Sequence, residues 1–166
     1  MLKKLIIIAT LVAGMAACKP NNSKAARDYN NDIIAKENIL EPDVMAAESN
    51  VAKYNEAGQF DSIAAVGEKM ESLVQTTIDE INALPVPKAK GVDDFKAAMI
   101  RYFRFIKSRY TNYKEFGQAG TDEKRQEVLL KIQNMVSQKQ DILNEMQAAQ
   151  RKFAEANNFK LERQTY

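Results

Sequence analysis

A single thiol, Cys18, stands in a chain of 166 residues that contains no histidine and no tryptophan. The missing histidine excludes much chemistry. No Ser-His-Asp or Cys-His catalytic set can form. Imidazole ligands for zinc, copper or haem are absent, as are the Glu-x-x-His pairs of di-iron bundles. The glycines make no GxGxxG or GxxxxGK[ST] phosphate loop. Carboxylates are plentiful, for example Asp28 and Asp32 or Asp79 and Glu80, but no spacing sets a general acid opposite a base. The methionines Met45, Met70, Met99, Met135 and Met146 fall mostly at core-type spacings, where filling space is their usual role; copper(I) would need them clustered at one level. The chain is therefore expected to be no enzyme and to carry no metal and no cofactor.

What remains are polar residues in apolar rows. Asn30, Glu37, Arg109 and Lys139 each occupy a position where the surrounding spacing calls for an apolar side chain. Side chains of this kind, turned inward, could line a small-ligand site between helices. Glu37 and Arg109 could equally form an ion pair at the edge of the core, or reach water along their stems. Tyr29, Tyr102, Tyr110 and Tyr113 supply hydroxyls that need partners if buried. The run Arg101 to Lys114 interleaves basic and aromatic residues, as single-strand nucleic-acid binders do. On a helical projection, however, Tyr102, Phe103, Ile106, Tyr110 and Tyr113 share one face and Arg101, Arg104 and Ser108 the other. That is a core-facing helix with a solvated basic side. Phe105 falls at the edge of the apolar face.

Helical periodicity is what sets these residues on common faces. A first helix is read over 24–56, with Ala26, Tyr29, Ile33, Leu40, Val44, Ala47, Val51 and Tyr54 at three- and four-residue steps. Pro42 is expected to kink or split it, and Gly58 to stop it. A second helix is read over 61–83, its row running Phe60, Ile63, Gly67, Met70, Val74, Thr77, Ile81, Leu84 until Pro85 and Pro87 end it. A third spans 92–116, with Asp93 and Asp94 in its first turn. Thr121 caps a fourth that runs to Ala156 on Val128, Ile132, Met135, Ile142, Met146 and Phe153, with Leu129, Val136 and Leu143 alongside. The tail 159–166 either packs through Phe159 and Leu161 or frays. No strand alternation occurs and the connections are short, so the expected fold is all-α. It is an up-down-up-down four-helix bundle over 24–158 with long first and last helices, the first kinked near Pro42. The extra length of the outer helices is expected to project as a short stalk at the end where the chain begins.

The first 17 residues read differently. Lys3 and Lys4 precede an apolar run from Leu5 to Ala13 that ends in small residues; it is too short to span a bilayer and has the layout of a signal peptide. Met15-Ala16-Ala17-Cys18 resembles the lipobox of bacterial lipoproteins. That resemblance implies a diacylglycerol on the Cys18 thiol, cleavage before it, and a membrane anchor with a short linker, 18–23. Ordinary cleavage after Ala16 would leave Cys18 a lone thiol, and a retained anchor is the third reading. Without Lys3 and Lys4, 22 basic residues face 22 acidic ones, which gives no reason to expect nucleic acid as a partner. The helical body loosely resembles small envelope or surface lipoproteins of Bacteroidota and spirochaetes. Lys19 after the cysteine, where aspartate marks inner-membrane retention, implies the outer membrane, on either face. The resulting expectation is a non-enzymatic envelope lipoprotein serving as a structural or protein-interaction module. The alternative is a small-ligand binder with a pocket between helices.

Overall fold

In a computed structural model, which describes residues 22–161, the chain forms four helices: α1 (Asn22–Glu56), α2 (Phe60–Ala83), α3 (Val92–Gln118) and α4 (Asp122–Ala156). They make an all-α, up-down-up-down bundle with no strand among the described residues. The outer helices have 35 residues each, against 24 and 27 for the inner pair. The leader, Cys18 and the rest of the linker up to Asn21 lie outside the described residues, as do residues 162–166. Asn22 and Ser23, read as linker, already belong to α1.

The helix ends follow their local chemistry. Gly58, at φ 65°, closes α1 in a Schellman turn: the Gln59 N–H donates to Tyr54 O (2.8 Å) and the Gly58 N–H to Asn55 O (3.1 Å). Asn158, at φ 55°, repeats the motif after α4, with the Phe159 N–H on Ala154 O and the Asn158 N–H on Glu155 O. The hydrophobic contact that accompanies such turns is Phe159 on Phe153, edge to face at 5.7 Å. The tail therefore packs at its start. Thr121 caps α4 by accepting from the Lys124 N–H. Pro42 does not split α1, which continues as one helix through it. Proline supplies no N–H to the carbonyl of residue 38, but Asn38 and Pro42 are both exposed, so water can bond that carbonyl.

The packing is unequal around the bundle. α2 and α3 form the closest pair, because two glycines let the backbones touch. A Cβ on Gly67 would stand 2.4 Å from Lys114 N, and one on Gly117 would stand 2.4 Å from both Ala64 N and Phe60 O. Beside these contacts Lys114 pairs with Glu71, the Thr111 hydroxyl donates to the same carboxylate (2.8 Å), and Lys107 donates to Gln75 (2.7 Å). At the end where the chain enters, a column of rings joins three helices. Tyr29 meets Phe95 edge-on at 6.4 Å, and Phe95 stacks on Phe153 at 4.8 Å. Buried rings of this kind are each worth about 3–5 kcal/mol against alanine.

No stalk forms at that end. The Ser23 hydroxyl donates to Asn158 O, and the buried Asn157 holds the α2–α3 connection. Its Oδ1 accepts from the Lys90 N–H (3.1 Å), and its Nδ2 donates to Lys90 O (2.9 Å) and Phe153 O (2.8 Å). The connection from Leu84 to Gly91 is extended enough to reach the ends of the outer helices, so it closes the space that a two-helix overhang would have occupied.

Candidate functional site

The two outer helices meet near one end and leave a groove beyond it. Gln150 donates to the buried Asn30 at 3.0 Å, and Ser23 reaches Asn158. Further along, α1 rests chiefly on α2 and α4 on α3, and direct α1–α4 contact is sparse. Burial records the gap. In α4 only Val128, Met146, Phe153 and Ala154 are buried. Ile132, Met135 and Ile142, expected in the core row, and Leu143, expected alongside it, are half-buried, and Val136, also expected alongside, is 64% exposed. Met45 on α1, expected on a seam, is 66% exposed.

Three small cavities follow one another between α1 and α3, and the second and third are bounded by α4 as well. The first, about 140 Å³, lies among Glu37, Glu41, Val44, Tyr102 and Ile106. The second, about 130 Å³, adds Glu48, Arg109 and Tyr110 from the polar side and Ile142 and Leu143 from α4. The third, about 220 Å³, is bounded by Val51, Tyr113, Phe116, Leu129 and Ile132. From Glu37 to Asn55 the lined stretch of α1 is about 27 Å long at 1.5 Å per residue.

The polar residues singled out in the sequence do not form one site. Asn30 accepts from Gln150 and donates to Asn31. Glu37 lies two helical turns on, beside Tyr102 in the first cavity. Burial holds its carboxyl above the usual carboxylate range; the Tyr102 hydrogen bond offsets part of this and the charge of Glu41 adds to it. Arg109 pairs not with Glu37 but with Glu48, its Nη2 donating at 2.5 Å. Lys139 lies at the rim of the second cavity, exposed.

Register explains the changed partner. α1 and α3 run parallel, and Glu37 sits level with Tyr102 as Glu48 does with Tyr113, a constant offset of 65 positions. Arg109 is thus about 10 Å too far along for Glu37. Around Glu48 a compact cluster results. Its Oε2 accepts from Arg109 and from the Tyr113 hydroxyl (3.0 Å), while the Arg109 Nε and Nη2 also donate to Tyr113 (3.1 and 2.9 Å). Burial and the Glu48 charge push both Tyr110 and Tyr113 upward. Glu48 is the site residue that sequence reasoning missed. The signal for it was its position, seven residues after Glu41 on the same helix face.

Among the described residues no group of histidine, cysteine and carboxylate side chains is arranged to hold a metal ion, and no helix is long and apolar enough to cross a membrane. The basic side of α3 is solvated as expected, with Arg104 exposed and Arg101 paired with Glu145. Phe105, at the edge of the apolar face, is half-buried against the second cavity. Set against known protein families, curated proteins and solved structures, the chain matches none.

Proposed function

We propose that this is a non-enzymatic protein of the bacterial cell envelope, held at the outer membrane by lipid on Cys18, that docks a helix of a partner protein between α1 and α4. The anchor rests on the resemblance of Met15-Ala16-Ala17-Cys18 to a lipobox. A diacylglycerol brings two acyl chains, which is what stable anchoring requires. The docking reading rests on one observation, the groove left between the outer helices.

Its shape suits an elongated occupant. Leu129, Val136 and Leu143 repeat every seven residues on α4, and Val44 and Val51 do so on α1, which is the spacing a third helix packs into. Its charge selects the flank of that helix. Glu37 and Glu41 line the α1 wall with no ion pair among the described residues, so the partner is expected to be basic on the side that meets them.

Two measurements test this. The mass of the N-terminal peptide from cell membranes, for wild type and Cys18→Ala, should show lipid-modified Cys18 that the variant loses; an unmodified N-terminus near Ala17 sinks the anchor. A photo-crosslinking residue placed at Val136 should capture one envelope protein through a basic helix. The same residue at the exposed Leu130 should not. Equal capture at both positions, or none at Val136, sinks the docking reading.

A further inference from the structure

The end of the bundle where the chain enters has a tip of its own, the connection between α2 and α3. Leu84 and Ala89 of that connection pack against the core, while Val86 between them is 48% exposed. Pro85 and Pro87 fix the backbone on either side of Val86, and the Asn157 amide holds both the N–H and the C=O of Lys90. An apolar tip is therefore presented preformed. Lys88 and Lys90 beside it, and Lys160 just past α4, are exposed and make no ion pair among the described residues. Charge is uneven along the bundle. In residues 22–28, 84–94 and 151–161, which meet at this end, seven basic side chains stand against four acidic ones; at the far end, in 53–61 and 114–127, four stand against six. Only the entry end suits an anionic surface.

We propose that this end docks on the anionic phospholipid surface of the membrane that holds the anchor, with Val86 seated in the headgroup layer and Lys88, Lys90 and Lys160 against lipid phosphates. The inference rests on the lipid anchor at Cys18 and does not depend on a docked helix. Chain length brings the surfaces together. Four peptide units separate Cys18 from the start of α1 at Asn22, a reach of at most about 14 Å, and the headgroup layer is itself about 5–8 Å thick. Ser23 is tied to Asn158 and Asn157 to Lys90, so the start of α1, the connection and the end of α4 meet the lipid together. The 35 residues of α1 then carry the far, more acidic end about 50 Å from the bilayer.

The test uses protein purified from cell membranes and reconstituted in vesicles of phosphatidylethanolamine and phosphatidylglycerol, part of the lipid brominated near the headgroup end of its acyl chains. The chain has no tryptophan, so Val86→Trp supplies a single reporter at an exposed position. Gln59→Trp, exposed at the far end, carries the same ring and controls for tryptophan's own affinity for interfaces. Emission from Val86→Trp should be blue-shifted and quenched by the bromolipid, and emission from Gln59→Trp should be neither. Each lysine near an anionic surface strengthens contact about fivefold. Adding Lys88→Glu and Lys90→Glu to Val86→Trp, or replacing phosphatidylglycerol by phosphatidylcholine, should therefore shift the equilibrium away from the docked state at least about tenfold. Protein that fails to float with the vesicles overturns the anchor and this inference together. Protein that floats while Val86→Trp stays as wet as Gln59→Trp overturns this inference alone. Quenching that ignores both the lysine substitutions and the lipid exchange also overturns it, because the contact would not be selected by charge.

Discussion

The seam between α2 and α3 and the seam between α1 and α4 are built from similar rows of apolar residues, yet one is closed to backbone contact and the other holds two cavities, with a third beside it between α1 and α3. The closed seam has Gly67 and Gly117 where the helices cross, so nothing separates the main chains. The open seam has Glu37, Glu41 and Glu48 on one wall and Lys139 on the other. Charged side chains resist full burial unless paired, and only Glu48 finds a cation, Arg109. Charged side chains flank both seams, but in the closed one Lys114 pairs with Glu71, whereas Glu37 and Glu41 line the open one with no ion pair among the described residues.

The largest effect that would break this contrast is expected at the glycines. Gly67→Ala pushes a methyl into the backbone of α3 and should cost at least about 3 kcal/mol, read as a lowered denaturation midpoint. A cost below 1 kcal/mol would mean that α2 and α3 can separate freely. Pro42→Ala, on the exposed surface of α1, works in the other direction. It restores a helical N–H and should stabilise by about 2 kcal/mol, the ~3 kcal/mol propensity difference being reduced by the greater freedom of the unfolded alanine chain. Leu143→Ala, in the open seam, should cost only about 1 kcal/mol because the side chain is already half-exposed.

The smallest and most specific effect concerns Glu37. Burial raises its folded pKa above the unfolded value, so between those two values the folded state holds more protons and stability falls as pH rises. Glu37→Gln should therefore be slightly more stable than wild type at neutral pH, with the gain vanishing below the ordinary carboxylate range. Glu71 in the closed seam has the opposite sign. The hydrogen bond from Lys114 lowers its pKa, so its stabilisation is complete at neutral pH and is lost as pH falls below that same range. Denaturation of Glu37→Gln and Glu71→Gln between pH 3 and 7 checks both; matching slopes would remove the distinction between the seams.

The helices were legible because their ends are written locally, by Thr121, by Gly58 and by the prolines after Leu84. The face of Tyr102, Phe103, Tyr110 and Tyr113 was legible from its three- and four-residue spacing. The groove was not. Periodicity says which face of α4 is apolar, and Leu129, Val136 and Leu143 satisfy it whether α1 lies against them or stands apart. Gly67 was visible as a member of its row, but only the facing backbone of Lys114 shows what its missing side chain permits. The pairing of Arg109 with Glu48 instead of Glu37 depends on the offset between two parallel helices, which no local pattern specifies.

The contact of Ser23 with Asn158 brings the start of α1 and the end of α4 together at one pole of the bundle, with the Lys90 connection fastened beside them. The order in which the helices follow one another along the chain is then largely interchangeable. A circular permutant that joins residue 161 to residue 22 by a short flexible linker, and opens instead at Gly58, would keep every helix whole. Its new termini would lie at the opposite pole, so a lipid attached there would hold the molecule inverted.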